Sequence, residues 1–283
     1  MTLIGAGVIV GQARAAGRGA GAFNLIGLEH AEAILAGAEA AGSPVILAVS
    51  ENCVTYHGGL VPVGRAMLAL AEAATVPVAV HLDHATSEGL VRSAVAAGFG
   101  SVMFDASALP YAGNVAATAA VTAWCHDGGV WVEAELGEVG GKDGVHAAGA
   151  RTDPAQAAQY TAVTGVDALA VAVGSSHAMV TRDAVLDLAL TGRIAAAVPV
   201  PLVLHGSSGV PDDALSAAVA AGLTKINIAT QLNKVFTTAI RDRLAADAAL
   251  TDPRRYLAAG RDAVAAEVSR LLTVLGACAG RQA

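Results

Sequence analysis

The chain has 283 residues, of which 54% are hydrophobic, and its formal net charge is −7 with 17 Lys and Arg. It has no basic run and no uninterrupted apolar stretch of about 18 residues, so we expect neither a nucleic-acid partner nor a membrane span. The three cysteines are widely spaced and the N-terminus lacks a secretion signal, which predicts a cytoplasmic protein.

Strand-like and helix-like segments alternate along almost the whole chain. The predicted strands are 21–24, 44–50, 76–83, 100–105, 130–135, 168–174, 201–206 and 224–229. Alanine-rich segments between them, such as 28–40 and 211–220, have helical composition. This succession predicts a single α/β domain over 1–283, a (β/α)8 TIM barrel, with a C-terminal helical extension over about 241–283.

Polar residues stand at the carboxyl ends of the predicted strands, where barrels of this kind carry their active sites. In chain order they are Asn24, Ser50, Asp83, His84, Asp105, Glu135, His177, His205, Asn227 and Thr230. Three of them are histidines at three different strand ends, and three imidazoles form the open ligand set of a catalytic zinc site. A single histidine would more often be a packed or capping residue. The equivalent positions of all three favour the metal site.

The segment His81-Leu82-Asp83-His84 is the most informative of these strand ends. It closes an apolar run, and Ala-Thr-Ser-Glu then gives a helix-start signal. Imidazole is a metal ligand, and the adjacent carboxylate of Asp83 could move a proton on a group that the metal polarises. His81 lies deeper in the strand, so we predict a structural role for it.

Two glycine-rich loops could complete the site. Residues 205–209, His-Gly-Ser-Ser-Gly, follow a strand and precede a helix, and such a loop exposes backbone amides that bind phosphate. A plain turn is the alternative. The loop 137–144 contains four glycines together with Glu138, Lys142 and Asp143. Its composition is equally compatible with a mobile lid that delivers a carboxylate and with an ordinary surface loop.

Motifs that resemble those of one family are spread, in order, over nearly the whole chain. They are Ala22-Phe23-Asn24, His81-Leu82-Asp83-His84, Ser101 to Asp105, Val132 to Gly137, Gly140-Gly141, Ala172 to His177, Leu204 to Gly209, and Lys225 to Thr230. Together they resemble the class II, zinc-dependent ketose-bisphosphate aldolases, which act on fructose or tagatose 1,6-bisphosphate. The resemblance implies reversible cleavage to dihydroxyacetone phosphate and an aldehyde such as glyceraldehyde 3-phosphate.

The resemblance also implies roles for individual residues. The implied zinc ligands are His84, His177 and His205, and the implied residues of a second or displaced zinc are Asp105 and Glu135. Asp83 is implied to exchange the proton of the carbon-4 hydroxyl. Asn24 is an implied contact of the substrate. The backbone amides implied to hold dihydroxyacetone phosphate, with Na⁺ or K⁺ assisting, are those around Ala178, Gly206, Ser207, Ser208, Asn227, Ile228, Ala229 and Thr230. Ser50 and Arg254 are implied contacts of the distal phosphate, with Arg254 coming from a neighbouring subunit of a homodimer or homotetramer.

Two departures from the family pattern leave the substrate open. Lys142-Asp143 stands where many members have Gln-Glu, which makes Asp143 the candidate base for carbon 3. Ala178 stands where Gly is common, and Thr181 replaces a basic residue that some members carry. The ketose could therefore be fructose bisphosphate, tagatose bisphosphate or another ketose phosphate.

Three other kinds of protein are alternatives to this interpretation. A Schiff-base aldolase would need Lys225 as its nucleophile. A metal-dependent hydrolase barrel usually opens with His-x-His on its first strand, where this chain has Asn24. A non-catalytic sugar-phosphate-binding subunit would bind phosphate ligands without cleaving them.

Overall fold

The computed structural model describes residues 2–137, 150–177 and 179–277. Eight parallel strands form a closed barrel in which neighbours follow chain order and β1 also pairs with β8. The strands are β1 Ala20–Asn24, β2 Val45–Ser50, β3 Val78–Ala85, β4 Ser101–Phe104, β5 Trp131–Glu135, β6 Ala168–Ala170, β7 Leu202–Leu204 and β8 Leu223–Ile228. The predicted TIM barrel is confirmed.

Helices connect the strands and surround the barrel. They are α1 Ala6–Ala15, α2 Leu28–Ala41, α3 Glu51–Tyr56, α4 Leu60–Ala73, α5 Glu88–Ala97, α6 Tyr111–Asp127, α7 Pro154–Thr164, α8 Leu188–Ala197, α9 Asp212–Ala220, α10 Thr230–Ala246 and α11 Pro253–Val274, with a 3-10 turn at Ser207–Gly209. The predicted helix start after β3 is confirmed, because the Ser87 side chain caps α5 by accepting from the Leu90 amide. Within the described ranges, no helix is long and apolar enough to cross a membrane.

Strand alternation decides which side chains enter the barrel. Successive side chains of a strand point to opposite faces. In β8, Ile226 and Ile228 belong to the main apolar core, so the intervening Lys225 and Asn227 face the interior. The same alternation places Glu133 and Glu135 of β5 inside, because Val132 and Ala134 pack in that core. The interior therefore holds charged and polar side chains.

An additional helix, α1, closes the amino-terminal end of the barrel. Its apolar residues pack on alanine and isoleucine side chains of the first three strands and on Trp131. Gly7 allows this close packing, because a Cβ there would lie 2.8 Å from Cδ1 of Trp131. The sequence did not predict α1. Because α1 covers the amino-terminal end, the carboxyl end of the barrel is the open one.

The C-terminal helical extension is present, but position 241 falls inside α10, the eighth helix of the barrel. The extension consists of the end of α10 and of α11, which packs against α2 and α10. Gly37 lets α2 approach α11 closely, because a Cβ there would lie 2.5 Å from the carbonyl oxygen of Ala265. Arg261 adds an ion pair with Glu32 of α2 at 3.0 Å.

Candidate active site

A cavity of about 680 Å³ opens at the carboxyl end of the barrel. It is lined by the ends of β1, β2, β3 and β8, by the loops after β6 and β7, and by the start of α10. The sequence-predicted residues among its lining are Asn24, Ser50, Asp83, His84, His177, His205, Gly206, Ser207, Ser208, Asn227, Ala229 and Thr230. Closure of the barrel thus brings together residues that lie up to about 200 positions apart in the sequence.

The three histidines meet at the floor of this cavity. Ligand atoms of His84, His177 and His205 all lie within 4.8 Å of one another. The ring centroid of His84 is 5.0 Å from that of His177 and 4.5 Å from that of His205. His84 adopts a left-handed backbone conformation with φ of 51°, which is rare for a residue other than glycine. Strain of this kind is typical of functional sites.

Carboxylates fix the orientation of two of these rings. Asp105 Oδ2 lies 2.8 Å from His84 Nδ1, and Glu133 Oε1 lies 2.8 Å from His205 Nε2. An ionised carboxylate only accepts, so we assign the hydrogens to these two ring nitrogens. The remaining nitrogens, His84 Nε2 and His205 Nδ1, then face each other with lone pairs at 3.1 Å. A shared metal ion would satisfy both lone pairs, and this donor set suits zinc.

Local electrostatics favour neutral imidazoles beside ionised carboxylates. Burial and the neighbouring His84 lower the pKa of His205, although Glu133 opposes this. Burial alone would raise the pKa of Glu133, but Lys225 and the hydrogen bond from His205 bring it down to about 2. Burial and Lys225 lower the pKa of His81 to about 3. Neutral imidazole is the form that binds a metal.

The carboxylate of Asp83 is buried and held on both oxygens. Asn24 Nδ2 donates to Oδ2 at 2.7 Å, and Asn227 Nδ2 donates to Oδ1 at 3.1 Å. Burial would raise the pKa of Asp83, but its electrostatic interactions with His84, His205 and the ammonium group of Lys225 hold that pKa well below its usual range. The arrangement therefore presents a fixed, ionised base beside the histidines.

A second group of possible metal ligands adjoins the first. Ligand atoms of His84, Asp105 and Glu135 lie within 4.8 Å of one another. The Ser107 hydroxyl donates to Asp105 Oδ1 at 2.6 Å, so this carboxylate is oriented from both sides. The geometry brings together the residues that the sequence predicted for a second or displaced zinc.

The loop after β7 packs directly against the start of α10. The Ser208 hydroxyl accepts from the Gln231 amide at 3.0 Å and from the Ala229 amide at 3.4 Å. A helix N-terminus and a tight turn together provide backbone donors for an anion. Among the described residues that line the cavity there is no Lys or Arg, so the described part of the site offers a phosphate neutral donors such as these.

The side chains of two sequence-predicted residues lie away from this assembly, and two other predicted residues are not among those that the structure describes. Ile228 does not line the cavity, because its side chain is buried in the core between barrel and helices. Arg254 lies exposed at the start of α11 and pairs with Asp252 at 2.8 Å in its own chain. Asp143 of the expected lid and Ala178 lie outside the described residues.

The role of Glu133 was not predicted from the sequence. Glu133 and Glu135 share the inward face of β5, so strand alternation was a signal that both enter the barrel. Glu133 contacts His205 and also forms an ion pair with Lys225, whose Nζ lies 2.8 Å from Oε2. Lys225 is fully buried and does not line the cavity, which argues against its being a Schiff-base nucleophile.

Comparison with known proteins agrees with this geometry. Residues 6–281 match the family described as "Fructose-bisphosphate aldolase class-II". The chain belongs to the class II fructose-bisphosphate aldolase family. It is therefore an aldolase, a lyase, and the Schiff-base and hydrolase alternatives are wrong.

Individual members of the class II aldolase family show how close the similarity is. The chain is 43% identical to the fructose-bisphosphate aldolase of Geobacillus stearothermophilus, with 88% of each sequence covered. It is 42% identical to the 6-phospho-5-dehydro-2-deoxy-D-gluconate aldolase of Shouchella clausii, over 91% of this chain and 89% of that one. Among solved structures, the YdjI aldolase of Escherichia coli K12 superposes with a TM-score of 0.86 at 31% identity, with 98% of each chain covered.

Proposed function

We propose that this aldolase catalyses the zinc-dependent, reversible cleavage of a ketose 1,6-bisphosphate, with fructose 1,6-bisphosphate as the first candidate. The products would be dihydroxyacetone phosphate and glyceraldehyde 3-phosphate. The observation that carries this proposal is the position of Asp83 beside three mutually facing histidines in one cavity. Fructose bisphosphate is preferred because a relative named for that activity is 43% identical.

Two groups of residues divide the chemistry between them. His84, His177 and His205 would hold the zinc, which when bound supplies Lewis-acid stabilisation of the negative charge that develops on the ketose. Asp83 removes the proton of the carbon-4 hydroxyl while the bond between carbons 3 and 4 breaks, and the electron pair stays on carbon 3. A positioned base of this kind typically contributes about 10²–10⁴-fold.

The remaining proton transfer and the phosphate contacts are further parts of the proposal. Asp143 would return a proton to carbon 3. The backbone around Ser207 and Thr230, with Ala178 and a bound Na⁺ or K⁺, would hold the phosphate of dihydroxyacetone phosphate. The distal phosphate would contact Ser50 and the Arg254 of a neighbouring subunit. This arrangement requires a homodimer or homotetramer, and we expect the enzyme to act in the cytoplasm.

Two further substrates are candidates, one because of a named relative and one because it is a stereoisomer of fructose 1,6-bisphosphate. A relative named as 6-phospho-5-dehydro-2-deoxy-D-gluconate aldolase is 42% identical, almost the same as for fructose-bisphosphate aldolase. Tagatose 1,6-bisphosphate differs from fructose 1,6-bisphosphate only in configuration at carbon 4, the atom whose hydroxyl Asp83 would deprotonate. All three would release dihydroxyacetone phosphate.

The test is a coupled assay for dihydroxyacetone phosphate with each of the three substrates, using purified protein loaded with zinc. We expect cleavage of at least one of them, and its loss in Asp83→Ala with unchanged zinc content. Asp242→Ala, on the exposed surface of α10, serves as the matched control and should keep full activity. Binding of phosphate ligands without any cleavage would instead favour a non-catalytic subunit.

A further inference from the structure

Lys225 occupies an unusual place, because it is a fully buried lysine beneath the site. Its side chain faces the barrel interior from β8, two residues before Asn227. The ammonium group lies 2.8 Å from Glu133 Oε2 and 2.6 Å from Asn227 Oδ1. Since it does not line the cavity, it would not touch the substrate.

Each of its two partners leads to a different part of the site. Glu133 uses its other oxygen, Oε1, to accept from Nε2 of His205 at 2.8 Å. Asn227 uses its amide nitrogen, Nδ2, to donate to Asp83 Oδ1 at 3.1 Å. Lys225 is thus one side chain away from a metal-facing histidine on one branch and from the base on the other.

The chemistry of an ammonium group gives these contacts a direction. Lysine has donors and no acceptor, so it selects the Asn227 orientation in which the amide oxygen faces Nζ. The amide nitrogen must then point toward Asp83. Without Lys225 the Asn227 amide could turn over, and its oxygen would face the Asp83 carboxylate as a second acceptor. On the other branch, the ammonium balances the buried charge of Glu133, which is costly to leave unpaired.

We propose that Lys225 is a positioning residue that aligns the metal-binding and proton-transfer halves of the site. It orients the His205 ring through Glu133 and the Asp83 carboxylate through Asn227. The part that concerns Asp83 as a base rests on the proposed function. The part that concerns His205 does not, because it can be measured as metal affinity.

Three variants separate the two branches. Lys225→Met has a similar length and lacks every donor, so it should weaken both halves. Metal affinity should fall by about 10–100-fold, the usual effect of losing a group that orients a ligand. At saturating zinc, kcat should still fall by tenfold or more, with a smaller change in KM. Glu133→Gln should reduce metal affinity by a similar factor, and its kcat at saturating zinc should fall less than that of Lys225→Met, because Asn227 keeps its donor.

The double variant Glu133→Gln with Lys225→Met keeps the test valid if Lys225→Met alone does not fold. It removes both charges of the buried pair, so we expect it to be more thermally stable than Lys225→Met. Its metal affinity should match that of Glu133→Gln. Its kcat at saturating zinc should stay at least tenfold below that of Glu133→Gln, because Asn227 still lacks its donor.

The measurements are zinc affinity by competition with a chromophoric chelator, melting temperature, and kcat and KM at saturating zinc. A purely structural lysine would lower the melting temperature alone. The proposal is overturned if metal affinity and kcat of Lys225→Met both stay within twofold of the wild type. It is also overturned if kcat of the double variant stays within twofold of that of Glu133→Gln. Wild-type cleavage tests the proposed function separately, since the zinc titration needs no substrate.

Discussion

Replacing Gly206 by alanine should distort the metal site, whereas the same change at Gly42 should only strain the backbone. Both glycines are left-handed, with φ of 68° at Gly206 and 62° at Gly42. Alanine in that conformation costs about 1–2 kcal/mol. A Cβ on Gly42 would meet nothing within 4 Å, but on Gly206 it would lie 2.5 Å from the carbonyl oxygen of Ser176. Gly42 is therefore a matched control.

The contact with Ser176 connects two loops that carry histidines. Gly206 follows His205, and Ser176 precedes His177, so separating the two backbones would move one candidate ligand away from the other. Forcing extra volume into a packed region typically costs about 1–3 kcal/mol. We expect about 2–5 kcal/mol for Gly206→Ala against about 1–2 kcal/mol for Gly42→Ala. Each kcal/mol lowers the melting temperature of a domain near this size by about 2–4 °C.

The assay compares melting temperature, bound zinc and kcat for the two variants and the wild type. Gly42→Ala should lose a few degrees and keep its zinc content and kcat. Gly206→Ala should lose more stability and should also bind zinc at least tenfold more weakly. Equal stability losses, with normal zinc binding in both variants, would refute the argument that this close approach positions the histidines.

Three further predictions concern the base, the metal and the C-terminal helix. Asn24→Ala removes a buried hydrogen bond to Asp83, worth about 1.5–3 kcal/mol for a charged acceptor, so kcat should fall about 10–100-fold with unchanged zinc content; an unchanged kcat would contradict this. When zinc is added at 100 times its Kd to wild-type protein that has been stripped of metal, it should stabilise the protein against thermal unfolding by about 2.7 kcal/mol. His84→Ala should lack this effect. For Arg270→Met, the loss of melting temperature should be complete at pH 7 and should shrink below about pH 4.3. Burial alone would raise the pKa of Glu267, but hydrogen bonds from Arg270 and Gln231 lower this pKa below its usual value. The carboxylate therefore stabilises the fold above its unfolded pKa, and this contribution is lost as the pH falls through its lower folded pKa. A loss of melting temperature that is independent of pH would contradict this.

The strand ends could be predicted from the sequence because their signals are local. An apolar run followed by a polar residue and a helix-start signal marks Asp83 and His84 without any knowledge of tertiary contacts. Strand alternation also turns the Ile228 side chain into the core, which leaves its backbone amide as the group of the predicted phosphate contact.

Other features depend on closure of the barrel and could not be predicted. Helix α1 contains Val8, Ile9 and Val10, and such β-branched runs locally favour a strand. It is nevertheless helical, and it packs across the amino-terminal end of the barrel. The ion pair between Glu133 and Lys225 joins β5 to β8, which are not neighbours in the sheet, so no strand-pairing rule could indicate it.

The arrangement along three strands explains why charges are buried so deeply. His81, Glu133 and Lys225 each lie two residues before a residue of the upper site, namely Asp83, Glu135 and Asn227, respectively. Two residues of a strand span about 6.6 Å. His81, Glu133 and Lys225 therefore form a polar group one layer deeper in the barrel than Asp83, Glu135 and Asn227. A buried ion pair adds little net stability compared with apolar residues of the same volume. Stability therefore does not explain why Glu133 and Lys225 are buried here. Their contacts with His205 and Asn227 do explain it, because these contacts orient the groups that would bind the metal and move the proton.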